Sequence, residues 1–274
     1  MILDQLQRSD DFGFELKVKG VLEASGARVA HGWTYIDPIE DKPRQFDLRA
    51  HLPNFGTERH HLRLAVECKN LDPAAPLVIS GVGRTKDETF YDFVQADGTE
   101  GLRRYVMRVR ADCELYRQDR FVGKGMLRLK PDEKSKNIPR LIPASEKESD
   151  VYGRWSQAVA SAGDLCREAA SVGANSGKIH STIILPAVVV PDGSLWTVEY
   201  NKDGVIIDGP MIANVATFFV NHEITIVPKN LWTNLSHVHF FTLTGLREFL
   251  TPLNRIPPID WFPNTAQRHQ PLVH

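Results

Sequence analysis

Cysteine is scarce in this 274-residue chain, and the three present, Cys68, Cys113 and Cys166, lie far apart. An odd, scattered set builds neither a disulfide framework nor a zinc cluster, and it points to a reducing compartment. Long apolar runs are missing too. The longest, Ile183 to Val190, is interrupted by Pro186 and is far too short to span a bilayer. The opening Met1-Ile2-Leu3-Asp4-Gln5 has no apolar stretch of signal-peptide length. The expectation is a soluble, cytoplasmic protein with no membrane partner. His60-His61, His222 and His237-Val238-His239 share no zinc-ligand spacing with a cysteine, and His-Glu-x-x-His does not occur. Gly81-Val82-Gly83-Arg84 and Gly123-Lys124-Gly125 do not complete a phosphate-binding loop, and Gly-x-Ser-x-Gly is absent. Zinc peptidases, P-loop motors and serine hydrolases are thereby excluded.

Neither sign of charge dominates, with a net charge of −1. Its distribution is uneven. Residues 101–140 hold twelve Lys or Arg against five acids, so the rest of the chain is acidic. Such a stretch, with Tyr105, Tyr116 and Phe121 interleaved, is a footprint for a phosphate backbone through Arg103, Arg104, Arg108 and Arg110. The alternative is a solvated sheet or loop with salt bridges to the acidic remainder.

What the sequence does contain is ample apolar content, 42%, enough for a packed core. The 274 residues are read as a single domain, with neither an internal repeat nor a low-complexity linker. Residues 10–25 read as a helix closed by Gly26; 27–37, 45–52 and 61–69 read as three strands. Residues 77–130 hold the strand-like Leu77-Val78-Ile79, then segments open to either helix or strand. The polar stretch Pro131 to Asp150 reads as a loop. Residues 151–174 read as a helix with Trp155, Val159, Ala162 and Cys166 on one face. Ser181 to Val190, rich in Ile and Val, reads as a fully buried strand. Pro191-Asp192-Gly193 turns into Leu195 to Tyr200, expected as its hairpin partner. Further strands follow at 224–227 and 237–243, and a short helix at 246–250.

The most informative run is Leu62-Arg63-Leu64-Ala65-Val66-Glu67-Cys68-Lys69. Strand side chains alternate faces, so Glu67 and Lys69 share one face while Leu64, Val66 and Cys68 take the other. Upstream, Gln45-Phe46-Asp47-Leu48-Arg49-Ala50 is expected to place Phe46, Leu48 and Ala50 on one face and Asp47 on the other. Two carboxylates and a lysine from neighbouring strands suit a metal-and-phosphate site. Magnesium takes one or two protein carboxylates and fills its octahedron with water and phosphate oxygens. Asp47 and Glu67 are the candidate ligands. Lys69 is placed to orient or deprotonate a water, or to stabilise developing negative charge. The alternatives are a solvated Glu67–Lys69 pair on an edge strand and a structural pairing of Asp47 with Arg49 or Arg44.

Asp47, Glu67-Cys68-Lys69 and the elements around them resemble the PD-(D/E)xK nuclease superfamily. Phe12-Gly13-Phe14-Glu15-Leu16 opens a helix, Gly26-Ala27-Arg28-Val29 enters a first strand, and the Asp and Glu-x-Lys strands follow in the family's order over roughly residues 10–70. The resemblance implies an α/β restriction-endonuclease-like core with a central mixed β-sheet flanked by helices, formed by about 10–70 and 151–200. It leaves 71–150 as an inserted segment and 201–274 as a C-terminal extension. It implies a metal-dependent endonuclease hydrolysing DNA phosphodiester bonds with Mg2+ (Mn2+ substituting), in restriction or phage defence alongside partner defence proteins. It assigns Asp47 and Glu67 to the metal, Lys69 to the water or the transition state, and Glu15 as an auxiliary acid, Glu23 being the poorer candidate. Glu15 also has a bland reading, an acid favoured near a helix N-terminus. Gln157 on the crossover helix matches an auxiliary glutamine of some members, or is a polar residue on that helix's wet face. Double-strand cleavage favours a symmetric homodimer. The competing functions are a catalytically silent nucleic-acid-binding or scaffold module and an RNA-directed nuclease.

Overall fold

A computed structural model of the chain describes residues 10–37, 41–52, 60–97, 103–110, 115–132, 141–144, 151–172, 179–226 and 231–253. It is an α/β protein built on one thirteen-stranded mixed sheet with a separate two-stranded ribbon. Helix α1 (Asp11–Ala24) starts where the Asp10 side chain accepts from the Phe12 N–H, and Gly26, at φ 86°, ends it in the left-handed region. Strands β1 (Arg28–His31), β4 (Leu48–Leu52) and β5 (His60–Cys68) form an antiparallel meander. Helix α2 (Val151–Val172) then leads to β11 (Ile179–Val190), which runs parallel to β5 from Ser181 opposite His60 to Val189 opposite Cys68.

The other edge of β11 is shared. Its first residues pair antiparallel with β7 (Phe90–Asp97), which carries β8 (Arg103–Arg110) on its far side. Its last residues pair parallel with β15 (Leu231–Thr242), and β15 pairs with β14 (Val215–Ile226). A second wing, β9 (Phe121–Pro131), β6 (Leu77–Gly83), β12 (Leu195–Tyr200) and β13 (Ile206–Ile212), with β10 (Leu141–Pro143) on β9, joins β14 through Phe218 opposite Gly123. A Cβ on Gly123 would come within 2.5 Å of Ile79 and 2.9 Å of Phe218, so glycine there is what lets the wings meet. Helix α3 (Leu243–Leu253) follows β15.

The sheet has a core on each face. Phe14, Val18 and Leu22 of α1 and Leu246 and Leu250 of α3 pack on Leu48, Leu62, Leu64, Cys68, Leu185 and Val189. On the opposite face, Val159, Ala162, Leu165 and Cys166 of α2 cover Ala65, Ile184 and Val188. Alternation along β5 and β11 sends each residue to one core or the other, so both strands are apolar almost throughout. Among the described residues no helix is long and apolar enough to cross a membrane. Cys68 and Cys166 are both buried free thiols.

Several sequence expectations change, the stretch from Pro131 to Asp150, read as a loop, being one, since it carries β10. Residues 27–37 are two strands, parted at Gly32 (φ 71°), the second being β2 (Thr34–Ile36), which pairs with β3 (Pro43–Gln45). The run 45–52 is parted likewise: Phe46 leaves the face of Leu48 and packs with Tyr35 and Ala160, and Asp47 sits at the bend. Finally, β12 is not the hairpin partner of β11. Both edges of β11 are occupied by β5, β7 and β15, so β12 crosses to pair parallel with β6. The sheet also exceeds the core implied by the resemblance. Strands from 71–150 and from 201–253 are built into it, and β14 and β15 lie in its middle.

Candidate functional site

The last ladder pair between β4 and β5 is Leu48 opposite Val66, so the next step outward sets Asp47 against Glu67. Two contacts fix this end. The Cys68 N–H donates to Asp47 Oδ2 at 2.7 Å, and the Lys69 N–H donates to the Val189 carbonyl at 2.9 Å. The chain leaves the sheet here, and charged side chains can collect without crossing the apolar layer.

Lys69 Nζ lies 2.7 Å from Glu67 Oε1. That oxygen is fully enclosed, and the Lys69 ammonium is its charged partner. Helix α1 brings two more acids. Asp11 Oδ2 stands 3.9 Å from Lys69 Nζ, and its Oδ1 accepts from the Asn70 N–H at 2.8 Å. Glu15 Oε2 pairs with His31 Nε2 at 2.7 Å, and its charge reaches both Asp47 and Glu67.

Glu67 is only 2% exposed. Burial, then the Asp47 charge, pushes its pKa up to about 7 against the pull of Lys69. Burial also raises Asp47, opposed by the Cys68 N–H and Lys69. For Lys69, burial works downward, but Glu67, Asp47 and Asp11 outweigh it and the net shift is upward. One ammonium thus faces three carboxylates, with Glu15 close by and paired to His31, and acids outnumber cations here.

Asp47, Glu67, Lys69 and Glu15 are therefore neighbours. β5 lies inside the sheet between β4 and β11, which removes the reading of Glu67 and Lys69 as a solvated edge pair. Arg49, proposed as a partner of Asp47, instead donates to Ser161 and Asp164 of α2 and lies over the Tyr35 and Phe46 rings. Arg44 pairs with Asp37 at 2.8 Å. Gln157 is half-buried on α2 and makes no hydrogen bond with Asp47, Glu67 or Lys69 among the described residues. Glu23 pairs with Lys19 at the far end of α1. Asp11 and His31 were not singled out from the sequence. The spacing of Asp11 and Glu15, one helical turn apart, was the available signal for the first.

The described part of the basic stretch holds β8, with Arg103 to Arg110, and most of β9. Arg108 is ion-paired to Asp92 at 2.9 Å and lies over the Phe90 ring, which realises the salt-bridge alternative for that residue. Arg103, Arg104 and Arg110 lie on β8 by backbone register; their side chains are outside the described set. Through β7, Arg103 is level with Ile179 of β11 while Glu67 is level with Val188. At about 3.3 Å per residue, Arg103 lies roughly 30 Å along the sheet from the carboxylates, and β8 runs from there back towards their level, with Arg110 opposite Phe90 at its near end.

Among the described residues no group of three or more His, Cys, Asp or Glu converges to hold a metal. A cation at Asp47 and Glu67 would rest on those two carboxylates, with water and substrate oxygens completing its shell, a coordination that suits magnesium. The enclosed Glu67 Oε1 and the surplus of carboxylates fit such a hard cation. Comparison with known proteins finds no matching family, no matching characterised sequence and no matching solved structure.

Proposed function

We propose that this chain is a metal-dependent nuclease that hydrolyses DNA phosphodiester bonds, with its centre at Asp47, Glu67 and Lys69. The observation that carries the reading is Asp47 fixed by the Cys68 N–H opposite a buried Glu67 that holds Lys69 at 2.7 Å. The path around it supports the same reading. A helix, an antiparallel β1–β4–β5 meander, a crossover helix and a strand parallel to β5 follow the order of the PD-(D/E)xK core that the motif resembles. The larger sheet is then an elaboration of that core.

In this reading Asp47 and Glu67 hold Mg2+ or Mn2+, which when bound neutralises the scissile phosphate and makes water more acidic. The chain's own groups do the rest. Asp47 keeps its orientation through the Cys68 N–H. Lys69, surrounded by acids, stays an ammonium and is suited to stabilising negative charge rather than to taking a proton. Glu15, held by His31, and Asp11, beside Lys69, add to the field that draws a cation in. Work in restriction or phage defence, and a partner protein there, belongs to the same proposal by analogy of fold and motif.

The test incubates the pure protein with supercoiled plasmid and with RNA, in magnesium, manganese or chelator. Nicking of plasmid that needs the cation is the expected result. Cleavage of RNA alone moves the substrate to the runner-up. No cleavage of either, with nucleic acid still bound, favours the silent binding module.

A further inference from the structure

Two aromatic rings at the rim of the carboxylate site are left open to solvent. Phe12, in the first turn of α1, is 56% exposed, and Trp33, at the bend between β1 and β2, is 68% exposed. Among the described residues no other Phe, Tyr or Trp is exposed. Both are tied to the carboxylates, by separate contacts. The Phe12 ring stacks on His31 with 5.6 Å between centroids, and His31 Nε2 holds Glu15 at 2.7 Å. The Trp33 carbonyl accepts from the Phe46 N–H at 3.2 Å, and the Gly32 N–H donates to the Asp47 carbonyl at 3.0 Å. Trp33 is thus held beside Asp47 by its own main chain.

The chemistry of the rim says what fits there. Charge works against a phosphate strand at this place. Asp11, Glu15, Asp47 and Glu67 repel phosphate wherever no cation intervenes, and Lys69, Arg44 and Arg49 are already paired with Glu67, Asp37 and Asp164. Flat apolar rings attract the faces of bases without help from charge and with little regard to sequence. In a duplex those faces are covered by the neighbouring base pairs, so an unpaired strand alone can offer them. Resting on the nuclease reading above, we propose that Phe12, backed by His31, and Trp33 form a stacking platform for unpaired bases beside the scissile phosphate. The substrate is then single-stranded DNA or the opened stretches of a duplex. Supercoiled plasmid qualifies because underwinding opens it; relaxed duplex does not.

The test separates the platform from the cleavage. A single-stranded oligonucleotide carrying 2-aminopurine, whose emission drops when its ring stacks, is titrated with the full chain. Calcium, a hard cation for the same carboxylates, replaces magnesium. The wild type should quench the probe and bind it more tightly than the same sequence as duplex. Phe12→Ala and Trp33→Ala should each weaken single-strand binding about tenfold and lose most of the quenching. Phe12→Tyr and Trp33→Phe keep a ring and should restore both. Both positions are exposed, so circular dichroism should show an unchanged fold. Single-strand affinity unchanged in both alanine variants, or a wild type that binds duplex as tightly, overturns the platform and leaves the rings to a partner protein. Magnesium-dependent cutting by the wild type is measured alongside. Cutting together with unchanged binding in the alanine variants removes the platform and keeps the nuclease. Loss of binding in those variants without any cutting keeps the platform and removes the nuclease.

Discussion

At one end of β5, Glu67 and Lys69 meet Asp47. At the other end, on the same sheet face and about 20 Å away at strand rise, His61 sits between two more imidazoles. Its Nδ1 is 3.2 Å from His51 Nε2, and its Nε2 is 3.0 Å from His180 Nδ1. Both ends put polar side chains beneath partial cover, but by opposite means. The histidine row can be satisfied while neutral, since a neutral imidazole donates through one nitrogen and accepts through the other. Burial, with Arg63 beside both rings and Arg28 beside His51, holds His51 and His61 uncharged with pKa values lowered to about 4. The carboxylate end cannot be satisfied that way. Asp47, Glu67 and Asp11 share one lysine while Glu15 pairs with His31, and burial with the Asp47 charge raises the Glu67 pKa to about 7. One end of the strand is complete as it stands; the other keeps more acids than cations.

The largest expected effect separates the two ends by activity. Glu67→Gln and Lys69→Ala should each lower metal-dependent nicking by at least about 100-fold. His61→Asn should leave it near wild type. Glu67→Gln removes a charge that is buried beside another carboxylate, so its thermal midpoint should not fall. Wild-type nicking by Glu67→Gln would detach the carboxylate end from function altogether.

A smaller effect distinguishes the ends by pH. His51 and His61 have folded-state pKa values below the ordinary value of 6.5, so the unfolded chain binds protons that the folded chain refuses. Their contribution is fully present above pH 6.5 and is lost as the pH falls from about 6.5 towards about 4. Glu67 acts in the other direction, because its raised pKa means that protonation relieves strain in the fold. The comparison therefore needs the variant. Urea unfolding at pH 7 and pH 5 should show a smaller loss of stability on acidification in His51→Asn/His61→Asn than in the wild type. Equal losses would mean that the row carries no linked protons.

The smallest effect concerns β8. If Arg104 touches phosphate, Arg104→Ala should make the dependence of DNA affinity on salt shallower by about 0.9 in log–log slope. Arg108→Ala should leave that slope alone and instead lower stability, since Arg108 already neutralises Asp92. Duplex titrations at several salt concentrations check both. The same slope in Arg104→Ala as in the wild type would return Arg104 to the salt-bridge alternative.

Much of the layout was legible because it is local. Phe14, Val18 and Leu22 repeat at helical spacing and lie buried under α1. Val159, Ala162 and Cys166 do the same in α2, and the Ile/Val run of β11 is covered on both faces. The illegible parts depend on partners distant in sequence. Nothing near Phe46 shows that it will leave Leu48 to pack on Tyr35 and Ala160. The turn after Val190 reads like a hairpin, and only the occupancy of both β11 edges forbids it. His51, His61 and His180 come from three strands, and their row exists only in the register of β4, β5 and β11.

By itself the sequence determined which residues could act. Strand alternation put Glu67 and Lys69 on one face and Leu64, Val66 and Cys68 on the other, because that period is a property of the extended backbone. Helix spacing likewise set Glu15 beside the buried stripe of α1. Tertiary structure alone decided how these groups behave. It enclosed Glu67, closed the Cys68 N–H on Asp47 and brought Asp11 within 3.9 Å of Lys69. Charge, solvation and proton affinity depend on what surrounds a group in space, and those surroundings are gathered from segments that the linear order keeps apart.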